Sequence, residues 1–289
     1  MIPMNADWEK KNIVLVDPAI WPRYTGRAGD LRPVYRGLRE ALRKLKVPVT
    51  LLGRRDAPLD IWIRDWGSVE GVFFRYAPKY AQGAYSPAAI RQARMGLVRR
   101  LRAQCRTVPL VLDGGNVVHN GRVALVTKNV LRENSHFTPL EVERAIAAVD
   151  FERVVFIPNE PGDEIGHSDG MCRFVSERVL LVNDYDGAGM GSFGRRLRRV
   201  LRAAKLEAEI VALPWFFRGA RKDGVPSTVG CYMNFIQLAQ GIILPAFAHR
   251  NDEQAHAVIA GLRVGPVRSV LATPLAEFGG VFNCVSLTY

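Results

Sequence analysis

The segment EIGHSDGMCRFV, residues 164–175, sets an imidazole (His167), a carboxylate (Asp169) and a thiol (Cys172) close together. A core strand has little use for the first two. On a strand, residues two apart face the same side, so His167 and Asp169 are expected to point together. An imidazole moves protons near neutral pH and a carboxylate binds cations. Similar polar clusters hold Asp65 in WIRDWG, Asp113 in LDGGN and a second thiol, Cys284, in FNCVS. Brought into one pocket, these groups have an economical use. A thiolate attacks, the imidazole transfers protons, one carboxylate orients it, and two more grip a planar cation such as a guanidinium.

Residues this far apart need a repeating scaffold. The segments 111–127, 165–183 and 229–246 each run from a small or polar cluster through a mixed strand and a turn to a short apolar strand. Residues 278–289 start the same unit and stop, and residues 59–77 fit as a further copy. The clusters recur roughly every 50 to 65 residues, room for a strand, strand, helix, strand unit. Helical patterns follow the first three. One start is well marked, with Thr138 as N-cap, Pro139 at the first helical position and Glu141 closing a capping box. Five such units in one α/β domain spanning 1–289 would close around an axis and bring their polar clusters together there.

Composition bounds the alternatives. The 289 residues are 48% apolar and 24% charged, an ordinary globular balance. No apolar run reaches the roughly 20 residues of a membrane span, and the N-terminus lacks the pattern of a secretory signal. A cytoplasmic location is expected. The four cysteines (Cys105, Cys172, Cys231, Cys284) have no CxxC spacing, so neither a zinc site nor a disulfide framework is indicated. The net charge of +12 comes mostly from arginines on helical stretches such as IRQARMGLVRRLRAQCR, where they alternate with an apolar stripe. These read as solvated faces, and no nucleic-acid partner is expected.

The motifs WIRDWG, DGGN, GHSDGMCRFV, CYMNFIQLAQGIILPAF, NDEQA and GGVFNCVS together resemble the agmatine deiminase and bacterial-type peptidylarginine deiminase family of the guanidine-modifying, or pentein, superfamily. The resemblance implies a five-bladed pseudo-symmetric α/β propeller, no metal or organic cofactor, and hydrolysis of a guanidine to a ureido group with release of ammonia. It implies Cys284 as nucleophile, His167 as general acid and base, Asp113 as its partner, and Asp65 with Asp169 as the guanidinium clamp. Agmatine, giving N-carbamoylputrescine, is the leading small guanidino substrate, with peptidyl or free arginine next. Amidino transfer, or a non-catalytic guanidine- or nucleic-acid-binding protein, are the alternatives, and a homo-oligomer is compatible with all of them. Cys172 is then a packing residue.

Three departures stand out. Asp113 occupies a position where that family usually has glutamate, and GDEIGH replaces a stretch with a threonine and an acidic residue. RDWGS lies nearer the peptidylarginine deiminase pattern than the agmatine one and lacks the usual proline. His119, His249 and His256 are expected at the surface or in loops, and His136 in a loop ahead of the capping box. Trp62 and Trp66 alternate along an expected strand, as core residues or as lining for an alkyl chain. Arg64 is expected to pair with a neighbouring carboxylate, while Asn234 and Asp252 match polar positions of the family pattern without an assigned role.

Overall fold

The computed structural model describes every residue except 1–4, 26–28, 78–82, 103, 164, 218–220 and 223–224. Glu164, part of the GDEIGH departure, therefore lies outside the described residues.

The apolar run VALVT forms Val123–Thr127, buried at its last four positions. It pairs antiparallel with Val118–His119 and parallel with Arg153–Ile157. A tight turn serves the antiparallel pair, whereas the parallel pair needs a crossover, supplied by helices Asn129–Glu133 and Pro139–Ala147. The same antiparallel-then-parallel pattern joins Cys172–Ser176, Val179–Asn183 and Glu209–Leu213, with Gly191–Ala203 as the crossover helix. It recurs in Ile236–Leu238, Gly241–Ala246 and Val267–Leu271 around Asn251–Gly261. The unit cut short at residue 289 is completed by the other end of the chain. Ser286–Thr288 pairs antiparallel with Ile13–Val16, which pairs parallel with Val49–Leu52 through helix Arg32–Lys44. The remaining unit is thinner. Val72–Arg75 and Arg106–Val111 are parallel around Pro87–Leu101, and only a bridge between Val69 and Val72 stands where the others have a first strand. A short hairpin pairs Arg221–Lys222 with Val225–Pro226.

The middle strands are covered on both faces, which is why they are continuous apolar runs: Ile13–Val16 is buried throughout. Each helix turns a narrow apolar stripe inward, Val34, Leu38 and Leu42 in one case and Phe193, Leu197 and Leu201 in another. The capping box at Thr138 forms as expected. Its Oγ1 accepts the Glu141 N–H at 3.3 Å, and Glu141 Oε2 accepts the Thr138 N–H at 2.7 Å. Removing such a cap typically costs about 1 kcal/mol. Among the described residues, no helix is long and apolar enough to cross a membrane.

The polar clusters do sit at matching points, just ahead of the first strands, but in single helical turns and not on strands. Ile63–Trp66, Gly114–Asn116 and Ser168–Gly170 are all one-turn helices. Asp113 and His167 are the N-cap residues of the last two. The strand expected at His167 starts only at Cys172. The expected alternation of Trp62 and Trp66 fails for the same reason: a helical turn sends Trp66 into the core, where its Nε1 donates to Asp60 Oδ1 at 3.1 Å, and leaves Trp62 at a cavity wall.

His119 is also corrected. Its side chain is only 7% exposed and its Nε2 lies 3.4 Å from Glu70 Oε1. Glu70 pairs with Lys10, Lys10 with Asp7 at 3.2 Å, and Asp7 with Arg173 at 2.5 Å, so this buried ionic chain ties the N-terminal segment to three sheets. His249 stacks on Phe216 at 4.0 Å between centroids, and His256 meets Ser269 Oγ at 3.0 Å. His136 is exposed, as expected. Asp252 has a structural role, accepting the N–H groups of Phe247 and His249 and the Tyr232 hydroxyl.

Candidate active site

Asp65, His167, Asp169 and Cys284 line one cavity of about 330 Å³. Asp113 stands behind them, its Oδ2 3.1 Å from His167 Nε2. With Nε2 so engaged, Nδ1 is the ring atom turned toward the site, 3.6 Å from Asp65 Oδ1. All five sequence candidates therefore converge, four on the cavity wall and one as the support of the imidazole.

The turns that carry these groups are tied to each other. Asn116 Oδ1 accepts the backbone N–H groups of Thr127 at 2.9 Å and Ser168 at 3.3 Å, which locks the Asp113 turn to the His167 turn. Thr127 Oγ1 donates to Gly166 O at 2.5 Å and Asn129 Nδ2 to Ile165 O at 3.0 Å, fixing the approach to His167. Arg64 does not make the expected pairing with a carboxylate. Its backbone N–H donates to Cys284 O at 3.1 Å and its Nε to Asn283 O at 3.4 Å, stitching the first turn to the C-terminal one.

Two glycines make the close approach feasible. A Cβ on Gly115 would lie 2.6 Å from His167 Nδ1 and 2.8 Å from Asp65 Oδ1, and one on Gly280 would lie 2.4 Å from the Trp62 ring. Gly115→Ala is expected to push the imidazole aside and lower kcat/KM by roughly 100-fold. Steady-state rates beside a melting curve separate this from the smaller overpacking cost of about 1–3 kcal/mol.

Electrostatics follow from burial and crowded carboxylates. Burial works against a charged imidazole, but Asp65, Asp113 and Asp169 outweigh it and raise the His167 pKa to about 10. Burial raises Asp65 to about 7, with His167 pulling it down and Asp113 and Asp169 pushing it further up. The Cys284 thiol is also pushed up, first by burial and then by Asp169 and Asp65. Before a cation binds, imidazole and thiol are thus both protonated. A cation between Asp65 and Asp169 would offset the two charges that, after burial, oppose ionisation of the Cys284 thiol. Cys172, by contrast, is fully buried, and its sulfur faces Ser168 O at 3.7 Å.

A match to the Porphyromonas-type peptidyl-arginine deiminase family spans residues 4–289. The chain belongs to that family. Among curated relatives of this family member, an agmatine deiminase of Pseudomonas aeruginosa strain LESB58 is 28% identical over 272 residues, which cover 78% of this chain and 73% of the relative. Among solved structures, the agmatine deiminase of Enterococcus faecalis superposes with a TM-score of 0.78 at 16% identity, covering 99% of this chain and 94% of that one. DDAH from Pseudomonas aeruginosa superposes at 0.62 and 14% identity, covering 97% and 100%. These likenesses establish the α/β pentein fold shared across the deiminase family.

Sequence reasoning left several wall residues of the family site without a role. Asn234 lines the cavity, and Asn283 is buried directly before Cys284. The sequence reading matches Asn234 only to a polar position of the family pattern and does not single out Asn283; their places in CYMNF and FNC, beside a repeat's polar cluster, are the signal that could have found both. Asp60 accepts the Trp62 N–H, the Trp66 indole and the Tyr85 hydroxyl. Glu160 accepts the Tyr185 hydroxyl at 2.5 Å, and burial raises its pKa to about 7. No local pattern marks either one. Among the described residues no cluster of three His, Cys, Asp or Glu is arranged to hold a metal ion.

Proposed function

We propose that this chain is a cytoplasmic deiminase that hydrolyses a small guanidino compound to its ureido product and ammonia, with agmatine as the lead substrate and peptidyl or free arginine next. The reading treats residues 1–289 as a single catalytic domain whose five units form the blades of a pseudo-symmetric propeller. The observation that carries it is a thiol, an imidazole and two carboxylates facing one cavity, with a third carboxylate holding the imidazole. Curated relatives named as agmatine deiminases support the substrate class. So does the lining: five acidic residues, Asp60, Asp65, Glu160, Asp163 and Asp169, outnumber Arg23 and the protonated His167, a balance that suits a cation better than the α-carboxylate of free arginine.

In this reading Asp65 and Asp169 grip the guanidinium edges, the Cys284 thiol gives its proton to solvent as the cation enters, and the resulting thiolate attacks the central carbon. The resulting tetrahedral centre collapses as His167 hands a proton from Nδ1 to the departing nitrogen, which leaves as ammonia. His167, now neutral, takes a proton from water. The hydroxide adds to the thiouronium carbon, the C–S bond breaks as the added hydroxyl becomes the ureido carbonyl, and its proton returns to the departing sulfur, restoring the thiol. Sulfur, imidazole and carboxylates supply every group these steps use.

The test is turnover of agmatine, arginine and arginyl peptides by the purified protein, reading ammonia and ureido product together. Failure to hydrolyse any guanidine defeats the reading. Guanidinylated acceptor in place of ammonia would instead indicate amidino transfer.

The titrations set the sign of a pH profile. Asp65 loses its charge, and with it part of the clamp, as pH falls through about 7. His167 loses the proton it must donate as pH rises through about 10. The expected result is a kcat/KM that climbs to a plateau above about 7 and declines near 10, measured with agmatine in buffers of constant ionic strength. A profile that peaks near pH 5 would contradict it.

A further inference from the structure

The two buried asparagines that flank the sulfur share one geometric property. Asp169, 3% exposed, receives both of them on the same oxygen: Asn283 Nδ2 donates to Oδ2 at 2.7 Å and Asn234 Nδ2 at 3.0 Å. Two amide donors on one carboxylate oxygen prevent the group from turning about its Cβ–Cγ bond, and they leave Oδ1 as the oxygen able to meet a ligand. Asn234 also reaches the nucleophile's backbone. Its Oδ1 accepts the Cys284 N–H at 3.3 Å, and its main-chain oxygen accepts the Asn283 N–H at 3.1 Å. Both side chains are almost wholly buried, yet both amide nitrogens go to Asp169 on the cavity wall and Asn234 Oδ1 goes to the Cys284 backbone.

The three partners come from separate units of the chain. Asp169 sits before the strand Cys172–Ser176, Asn234 before Ile236–Leu238 and Cys284 before Ser286–Thr288. Nothing in local geometry relates the plane of the Asp169 carboxylate to the position of the Cys284 sulfur. The two asparagines do. A carboxylate paired edge-on with a guanidinium sets the plane of that cation, and a sulfur must approach its carbon from above that plane.

Resting on the deiminase reading above, we propose that Asn234 and Asn283 are positioning residues that set the angle between the guanidinium clamp and the nucleophile. They divide the work unequally. Asn283 orients the clamp alone, whereas Asn234 holds clamp and nucleophile at once, and it also works against the burial that keeps the Cys284 thiol protonated.

The variants Asn283→Leu and Asn234→Leu, which keep the branched outline of the side chain but remove its hydrogen bonds, test this division. A hydrogen bond to a charged group is worth about 1.5–3 kcal/mol, or roughly 10- to 150-fold. Asn283→Leu is expected to raise KM for agmatine by about tenfold or more while kcat stays within about threefold. Asn234→Leu is expected to raise KM similarly and also to lower kcat by about 30-fold or more. Alkylation of Cys284 by iodoacetamide without substrate, followed by intact-mass measurement against a Cys284→Ala blank, adds a readout independent of turnover. Its rate should change about fivefold or more in Asn234→Leu and less than about twofold in Asn283→Leu. Should either leucine variant fail to fold, the corresponding alanine variant is judged by the same division. Equal changes in both variants, or wild-type values in both, overturn the proposal. If the wild-type protein hydrolyses no guanidine, the deiminase reading falls, and the alkylation difference alone decides whether Asn234 positions the sulfur.

Discussion

Cys284→Ala is expected to abolish guanidine hydrolysis, with kcat down by roughly 10⁴-fold or more. In the proposed mechanism the Cys284 sulfur forms and later releases the covalent bond to the guanidinium carbon, whereas the other thiol on the cavity wall, Cys231, is turned to Gly170 O at 3.5 Å. A methyl group in place of the Cys284 side chain leaves the clamp intact. Binding should accordingly survive. Calorimetry with agmatine should show affinity within about threefold of wild type, because Asp65 and Asp169 are untouched. Cys172 provides the contrast. Its thiol is buried, held at a high pKa by that burial, and turned toward Ser168 O, so Cys172→Ala should cost about 1 kcal/mol of stability through lost packing and leave kcat within about threefold. A Cys284→Ala protein with a tenth of wild-type activity would falsify the assignment of the nucleophile.

His167→Gln is expected to lower kcat by roughly 10³–10⁴-fold, since in the proposed mechanism the same ring is the acid in the first half of the reaction and the base in the second. Glutamine keeps a hydrogen-bonding side chain near Asp113 but cannot carry the proton. Removing the supporting carboxylate should do less. Asp113→Asn leaves the imidazole in place while replacing an acceptor at 3.1 Å, so a loss of about 10- to 100-fold is expected, with the alkaline limb of the profile moved to lower pH because one of the charges that raise His167 is gone. Rates across pH for both variants check this. If His167→Gln and Asp113→Asn lost activity equally, Asp113 would have to act on the substrate directly, which its place behind the ring does not allow.

Much of this site could be read from residue order. The groups able to do the chemistry are of few types, and each lies beside small residues at a recurring distance ahead of an apolar strand. Helix stripes and the Thr138 cap are likewise local properties, governed by the 3.6-residue period and by backbone N–H groups that need a partner at a helix start. The resemblance of FNCVS to the family motif singled out Cys284 over Cys172, and the structure places Cys284 on the cavity and Cys172 in the core.

What the order of residues did not reveal depends on contacts between distant segments. A one-turn helix at Ser168–Gly170 competes closely with an extended segment, and its stability comes from Asn116 and Thr127, whose bonds to this segment span 52 and 39 residues of chain. The burial of His119 follows from Glu70 and the ionic chain beyond it. The pKa values of His167, Asp65 and Cys284 exist only once burial and three facing carboxylates are in place, since desolvation and Coulomb interactions depend on distance and not on neighbours in sequence. The sequence by itself determined which atoms are available to react. Tertiary structure alone decided their protonation, the asparagines that aim them and the cavity they share, because each of these is set by through-space separation between groups the chain keeps far apart.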